Sequence, residues 1–451
     1  MTKPFRVVAG SILLVGAGAF AWAYFDLPNR LAFSQAAARL PAMMAQAREL
    51  GLPVTADEVV PGADVDDDAN AAVGLVASVA RFLELPLDTR VLLRDIADAA
   101  QRGEPDALRQ GLDLPEPTDE ILDRVAASVV LEHVDFGRDW SLGNRVSFPD
   151  AAGTKFAVRM FALRALARAA NGDWDRALDD LAAGYRTCRV IGADPTIQSF
   201  YSQVSSEAVL FVATERLLGM AAADKNRLEP IVAVLADNPA TIDFPRAMRH
   251  ELYSGMVACR DIRGFLNEVM AGSPEEKDRE YRRLVPRSLS KETIGDAYQA
   301  RLLEFWIGAY RSMEQAKNPR EMADRLLQAS VEAQRSTDPT QRLNRYLVPV
   351  YDNMGAAVMR NIGQRHAVET LGRALLFRAS KGRFPDSLEE MGTVLEDPFT
   401  GRPLFYRRSG DTVLIYSADE DGEDDGGTRG TRRPGVGGID LVASYPPGRS
   451  G

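Results

Sequence analysis

The chain has 451 residues, of which 45% are hydrophobic and 26% are charged, and this composition is typical of a folded globular protein. It excludes a disordered tail, a collagen and a polytopic membrane protein. The net charge of −10 at pH 7 argues against binding through a broad basic surface, so we expect no nucleic-acid partner.

The N-terminal residues predict a membrane anchor. Lys3 and Arg6 precede residues 7–25, a run of nineteen residues without a charge. A helix of this length rises about 28 Å, which is close to the hydrocarbon thickness of a bilayer. Because the basic residues come first, the positive-inside rule places the N-terminus in the cytoplasm and the body outside it. Residues 7–25 are therefore expected to contact the lipid bilayer.

Two other interpretations of this run remain. A cleaved signal peptide is one, because residues 19–21 and 21–23 are A-x-A-like. The bulky Tyr24 and Phe25 after the candidate cleavage site favour an uncleaved anchor. A buried core helix is the third interpretation. No other stretch approaches spanning length without charges, so we predict a single pass.

The chain from about residue 32 to residue 382 has a helical pattern almost throughout. Residues 160–171 and 176–191 predict a helical hairpin. Its turn, Gly172-Asp173-Trp174, resembles that of a tetratricopeptide unit. No convincing 34-residue copy follows, so an irregular body of helical hairpins is expected rather than a repeat array.

Local signals set several boundaries in this body. Asp194-Pro195 predicts the start of a helix that runs to about Leu218. Prolines in polar stretches predict helix breaks at Pro286, Pro319 and Pro339. Apolar residues at helical spacing predict a core stripe of Leu302, Trp306, Ala309, Tyr310 and Met313.

Two features allow more than one interpretation. Cys188 and Cys259 could form one disulfide outside the cytoplasm, or they could be two buried small hydrophobic residues. The irregular segment 51–70 contains several acids that could attract a cation but more often form a solvated loop and the N-cap of the next helix. These acids are Asp64, Asp66, Asp67 and Asp68.

The sequence contains no recognisable catalytic motif. The three histidines, His133, His250 and His366, lie far apart in sequence. His366 and Glu369 have a spacing that could share a metal, but they supply only two ligands. Ser288 to Lys291 matches the S-x-x-K nucleophile pattern without its partner motifs. No catalytic residue is predicted, and whether the protein is an enzyme stays open, with a non-enzyme favoured.

The C-terminal region predicts a small α+β module. A helix over about residues 356–380 ends at Gly382, which supplies a left-handed cap. Residues 404–408 and 412–417 predict a hairpin, and residues 439–445 predict a last strand. An acidic, glycine-rich loop at residues 419–427 precedes that strand. The boundaries are thus 1–28 for the anchor, 29–354 for the helical domain and 355–451 for the module.

This order of elements resembles the C-terminal domain of the major pseudopilins of type II secretion systems. The matching positions are Asp397, Pro398, Gly401, Pro403, Tyr406, Tyr416, Ser417, Asp421, Gly422, Gly426, Gly427, Asp440 and Leu441. The resemblance implies a loop that binds calcium, with Asp419, Asp421, Asp425 and backbone carbonyls as ligands. Independently, calcium takes six to eight oxygen ligands, and acids alternating with glycine can supply several.

The whole chain resembles uncharacterised membrane-anchored proteins of planctomycete-type bacteria. The matching segments are 51–55, 67–72, 172–174, 382–388 and 397–404. This resemblance implies a place in the bacterial cytoplasmic membrane with a periplasmic or extracytoplasmic body, but it implies no activity. Unlike a prepilin, the chain has no acid in residues 7–25, and some 350 residues separate this run from the module.

The sequence predicts a mainly α fold with a single transmembrane helix, an irregular helical-hairpin body and a small α+β module with a short antiparallel sheet. The favoured function is a membrane-anchored extracytoplasmic interaction or scaffold protein without catalytic activity, with a protein partner and a calcium-stabilised loop. One alternative is an accessory component of a secretion or pilus-like system. Another is an envelope hydrolase whose site is assembled from distant residues.

Overall fold

The computed structural model describes residues 27–60, 66–238, 243–348, 351–392, 394–430 and 440–448. The predicted anchor at residues 7–25 lies outside these ranges. Within them, no helix is both long and apolar enough to cross a bilayer. The predicted mainly α fold with a small antiparallel sheet near the C-terminus is confirmed.

Within the described residues, ten α-helices lie in the first half of the chain and eight in the second half. The helices of the first half are α1 (Leu27–Ala38), α2 (Leu40–Glu49), α3 (Ala71–Glu84), α4 (Leu87–Arg102), α5 (Pro105–Gln110), α6 (Thr118–Ser128), α7 (Asp150–Ala170), α8 (Trp174–Ile191), α9 (Ile197–Ala221) and α10 (Lys225–Asp237). Those of the second half are α11 (Phe244–Ala247), α12 (Arg249–Arg260), α13 (Ile262–Val269), α14 (Pro274–Leu284), α15 (Lys291–Glu314), α16 (Pro319–Arg335), α17 (Asn344–Leu347) and α18 (Asp352–Lys381). The strands β1 (Phe405–Ser409), β2 (Thr412–Ser417) and β3 (Leu441–Tyr445) follow.

The apolar side chains form two large cores. The first core is formed by helices α3 through α10, the C-terminal half of α18 and the sheet. The second core is formed by helices α1 and α2, helices α12 through α17 and the N-terminal half of α18. In α18, Met354 and Val358 belong to the second core, whereas Leu371 and Leu375 belong to the first. The predicted boundary between residues 354 and 355 therefore falls inside a helix that holds both cores together.

The predicted helical hairpin is confirmed as α7 and α8. Gly172 turns the chain between them with a φ of +87°, a value that favours glycine. Arg164 of α7 and Asp180 of α8 form a buried ion pair in which Nη2 lies 2.7 Å from Oδ1. Both side chains are almost fully buried, and Arg168 neutralises the second carboxylate oxygen. The pairing satisfies charges that burial alone would make unfavourable.

The predicted start of the next helix is wrong by a few residues. Helix α9 begins at Ile197, and its cap is Thr196, whose hydroxyl accepts a hydrogen bond from the amide of Ser199. Asp194 instead forms a buried ion pair with Arg138, whose Nε lies 3.0 Å from Oδ2. Asp194 thus forms a long-range ion pair, although the local sequence predicts it as the N-cap of this helix.

The second core contains the predicted stripe of α15. Leu302, Trp306, Ala309 and Met313 are buried there, and Tyr310 packs against the same core partly exposed. The ring of Phe33 in α1 meets the edge of Tyr298 in α15 at a centroid distance of 5.4 Å. The predicted prolines do mark breaks, since Pro286 lies between α14 and α15, Pro319 opens α16 and Pro339 opens a short 3-10 helix.

Both cysteines are free and buried, so the alternative of two small core residues is confirmed. Cys188 lies in the first core and Cys259 in the second. Burial in apolar surroundings raises the pKa of both thiols above the usual range. Their separation between two cores excludes the disulfide that the sequence allowed.

The C-terminal sheet is an antiparallel meander in the order β1-β2-β3. Phe405 pairs with Tyr416 and Val413 pairs with Tyr445 in register. Strands β2 and β3 pack against α18. Asp397 of the predicted turn is fully buried, and its carboxylate accepts hydrogen bonds from Ser417 Oγ at 2.7 Å and from the amide of Ala418 at 3.1 Å. This acid joins the turn to the end of β2.

Candidate functional site

Two predicted calcium ligands have protein partners. Asp419 is 6% exposed and its Oδ1 accepts a hydrogen bond from Arg360 Nε on α18 at 3.0 Å. Asp421 is exposed, and its Oδ1 accepts from the amide of Glu423 at 3.1 Å. Asp419 is therefore held by an arginine, and Asp421 closes a turn within its own loop.

The third predicted ligand, Asp425, has a different environment. Its Oδ2 is buried without a hydrogen-bond partner, and so is Oδ1 of Asp440. The other oxygen of Asp440 accepts from the amides of Gly427 at 2.8 Å and Thr428 at 3.2 Å. Burial, with the nearby Asp425 carboxylate, raises the pKa of Asp440 to about 6. A half-buried carboxylate, Asp425, and a buried one, Asp440, thus lie near each other, and each has one buried oxygen without a hydrogen-bond partner.

Asp425 and Asp440 are the residues of this loop that fit a hard cation. Two carboxylate oxygens without donors are unfavourable when buried, and an oxygen-seeking ion would satisfy both. In the described ranges, no group of three or more histidine, cysteine or acidic side chains is arranged to hold a metal. A cation here would need backbone carbonyls and water for its remaining ligands. Asp440 matches a family position in the sequence but is not among the ligands predicted from it.

The three histidines are not brought together. His250 is buried against Trp140 at a ring distance of 5.2 Å, and its Nε2 lies 3.0 Å from the carbonyl oxygen of Gly143. Burial lowers its pKa. His366 Nδ1 lies 2.7 Å from the carbonyl oxygen of Glu396, and His133 is exposed on another segment. The three histidines therefore lie in separate environments.

The remaining sequence candidates have structural partners. Glu369 pairs with Arg373, not with His366. In the S-x-x-K pattern, Ser290 is the N-cap of α15 and Lys291 is its first residue.

Of the acids of the irregular segment, Asp64 lies outside the described residues. Asp66, Asp67 and Asp68 are exposed, and the latter two belong to a short 3-10 helix. The cap of α3 is Asn70, whose side chain accepts from the amide of Ala72. The solvated-loop interpretation therefore describes these three acids.

A groove of about 460 Å³ lies between α15 and α16. Its lining combines small residues with Phe305 and larger polar side chains, and a Cβ atom built at Gly308 would meet nothing within 4 Å. The volume falls in the range of ligand sites in proteins, about 300–1,000 Å³. We refer to this cleft as the α15–α16 groove.

The two arginines that line the α15–α16 groove are paired with acids of this chain, whereas the lining acid Glu332 is exposed and accepts a hydrogen bond from Gln328. Arg301 donates to Glu304 at 2.6 Å and to Asp338 at 3.2 Å. Arg325 donates to Glu321 at 2.6 Å. The groove therefore has polar walls but no arginine left unpaired to attract an anion.

Asn344 lines one end of the α15–α16 groove, and its Oδ1 is buried without a hydrogen-bond donor. The residue is 2% exposed. An unpaired buried carbonyl is unfavourable in the folded chain. The sequence did not predict this groove; the available signal was Gly308, a glycine within a helix.

Comparison with known proteins gave no match: no family model, no curated protein and no solved structure matches the chain.

Proposed function

We propose that this protein is a membrane-anchored extracytoplasmic protein that binds a protein partner through its helical body and performs no catalysis. The anchor is residues 7–25, with the N-terminus in the cytoplasm. The α15–α16 groove is the observation that carries the proposal, because it is an open cleft in the helical body whose two arginines are paired with acids of this chain. A cleft between two helices can accommodate part of another chain.

The first experiment is brief crosslinking in intact cells, followed by purification of the full chain through a C-terminal tag. A partner that is recovered repeatedly would support the proposal. A matched control carries the same tag on a chain whose residues 27–451 are replaced by an unrelated periplasmic domain. Recovery of the same protein with that control, or of none with the native chain, would contradict partner binding.

The topology is tested separately. Protease added to spheroplasts should digest the body, and alkaline carbonate should leave the chain in the membrane pellet. A control with Leu13→Arg and Leu14→Arg puts two charges into the anchor, and this should release the chain from the pellet. A body protected from protease would contradict the orientation.

We further propose that calcium binds at the acidic loop between β2 and β3. The unpaired buried oxygens of Asp425 and Asp440 support this, together with the resemblance to major pseudopilins. When bound, the ion would neutralise two carboxylates that otherwise repel each other. Asp419 would keep its ion pair with Arg360 and position the start of the loop.

Thermal melts of the full chain in detergent test this proposal. Millimolar calcium should raise the melting midpoint over that in chelator, because binding to the native state stabilises it by mass action. Asp440→Asn and Asp425→Asn should each abolish the increase. The exposed acid Asp411 on the β1–β2 turn gives the control Asp411→Asn, which should retain it. An increase that survives in both loop variants would place the ion elsewhere.

The accessory role in a secretion or pilus-like system is a second candidate. A long helix followed by three antiparallel strands, with an acidic loop before the last, is the order that the resemblance implies. However, α9, α10 and α16 pack against α18 in addition to the sheet, and none of residues 354–378 is exposed. A helix enclosed in this way cannot form the helical core of a filament. Secretion components among the crosslinked partners would favour this role.

A further inference from the structure

The first turns of α1 carry an exposed apolar face. Leu27 and Leu31 are 41% and 51% exposed, and their spacing of four residues places both side chains on one side of the helix. Ser34, Gln35 and Ala38 are exposed further along α1. The exposed side is thus apolar at its start and polar or small beyond it, whereas a helix side that faces only water is normally polar along its length.

The opposite side of α1 is fixed to the helical body. The buried ring of Phe33 meets the edge of Tyr298 in α15. Arg39, the residue that follows α1, pairs with Glu304 of α15 at 3.0 Å. Because α1 is held on this side at both contacts, the two exposed leucines are left outside the second core and are available to another surface.

The position of the proposed anchor identifies the surface that lies next to these leucines. Asp26 is the single residue between residues 7–25 and Leu27. Two residues span at most about 7 Å. Each headgroup layer of a bilayer is about 5–8 Å thick. An anchor that ends at residue 25 therefore brings the first turn of α1 to the headgroup layer.

Leu31 lies one turn further along α1, about 6 Å beyond Leu27. It reaches the headgroup layer when α1 is inclined with this side toward the membrane. We propose that Leu27 and Leu31 insert into the headgroup layer of the bilayer and hold α1, and with it the second core, against the membrane. This inference rests on the membrane anchor of the proposed function.

Fluorescence quenching in lipid vesicles tests the contact. The full chain is reconstituted in phosphatidylcholine vesicles, with one fluorophore attached at Leu31→Cys. Cys188 and Cys259 stay unlabelled because both are buried. We expect lipids with a nitroxide on the headgroup to quench this label relative to unmodified vesicles, because a side chain in the headgroup layer lies next to the nitroxide.

The matched control is Ala38→Cys, which labels an exposed position at the far end of the same helix, about 10 Å from Leu31. Its label should be quenched no more than about half as strongly, since interfacial residues lie within about 5–10 Å of the boundary. A label at Leu27→Cys should be quenched at least as strongly as the label at position 31. Equal quenching at positions 31 and 38, or none at position 31, would overturn the inference.

Alkaline carbonate extraction of the same vesicles separates failure of this inference from failure of the proposed function. A chain that stays in the pellet without quenching at position 31 would reject the contact of α1 with the bilayer and leave the anchor in place. A chain that carbonate releases would reject the anchor itself, and the proposed contact with it.

Discussion

Glu215 of α9 holds the end of the chain against the helical body. This side chain is 2% exposed. Its Oε1 accepts hydrogen bonds from the amide of Ser444 at 3.0 Å, from Ser444 Oγ at 3.0 Å and from the amide of Gly448 at 3.2 Å. Arg429 Nη2 lies 2.5 Å from the same oxygen. The buried carboxylate of Glu215 therefore connects β3 and the residues after it to α9.

The change Glu215→Ala removes this acceptor from the amides of Ser444 and Gly448, whereas Ser444 Oγ keeps the carbonyl oxygen of Pro446 as an acceptor. Removing one partner of a buried charged pair costs about 3–5 kcal/mol. The four contacts share one oxygen, so their energies do not add, and Arg429 is 28% exposed and regains water. We expect the free energy of unfolding to fall by about 3–4 kcal/mol. Glu215→Gln keeps the shape and a carbonyl oxygen but loses the charge, and about 2 kcal/mol is expected.

Urea unfolding of each variant in the same detergent measures the loss, and hydrogen exchange locates it. Amides of residues 441–448 should exchange faster in Glu215→Ala than in the native chain. Glu229→Gln is the control, since Glu229 pairs with Lys225 on the surface of α10 with both side chains about half exposed. Such pairs contribute about 0.5 kcal/mol or less. A loss below about 1 kcal/mol for Glu215→Ala, or unchanged exchange over 441–448, would refute the reasoning.

Two further predictions concern a buried acid and two glycines. Burial raises the pKa of Glu251 to about 7, so its contribution to stability is present below about pH 4.5 and is lost as the pH rises through 7. Glu251→Gln should therefore gain up to about 3 kcal/mol relative to the native chain between pH 4.5 and pH 8 in urea titrations, and a difference independent of pH would contradict this. A Cβ at Gly153 would lie 2.7 Å from the carbonyl oxygen of Val79, whereas a Cβ at Gly308 meets nothing. Gly153→Ala should cost about 1–3 kcal/mol and Gly308→Ala should add about 0.5–1 kcal/mol, and equal melting midpoints for the two would be inconsistent with this geometry.

Features set by neighbouring residues were predictable from the sequence. Gly172 and Gly382 both adopt positive φ where the pattern predicts a turn and a helix end. The predicted hairpin of the sheet lies within one residue of β1 and coincides with β2. In each case a local signal and the tertiary fold require the same backbone conformation, so the sequence pattern was sufficient.

Features set by distant residues were not predictable. Asp194 carries a good local signal for a helix cap, but its partner Arg138 lies 56 positions earlier. Asp440 lies fifteen residues after the nearest acid of the loop, Asp425, and its environment depends on how β3 meets that loop. The unpaired oxygen of Asn344 becomes significant only after α15 and α16 are placed side by side. Tertiary contacts decide these sites, and one sequence does not reveal which contacts form.

The contact between Phe33 and Tyr298 has a consequence for biosynthesis. Helices α1 and α2 bury their apolar faces against α15, which is synthesised about 265 residues later. At about 5–20 residues per second, the ribosome needs roughly 10–50 seconds to cover that distance. During this time Phe33, Ala36 and Ala47 have no native neighbours on α15 to cover them. The apolar faces of α1 and α2 therefore stay uncovered by α15 until translation reaches that helix.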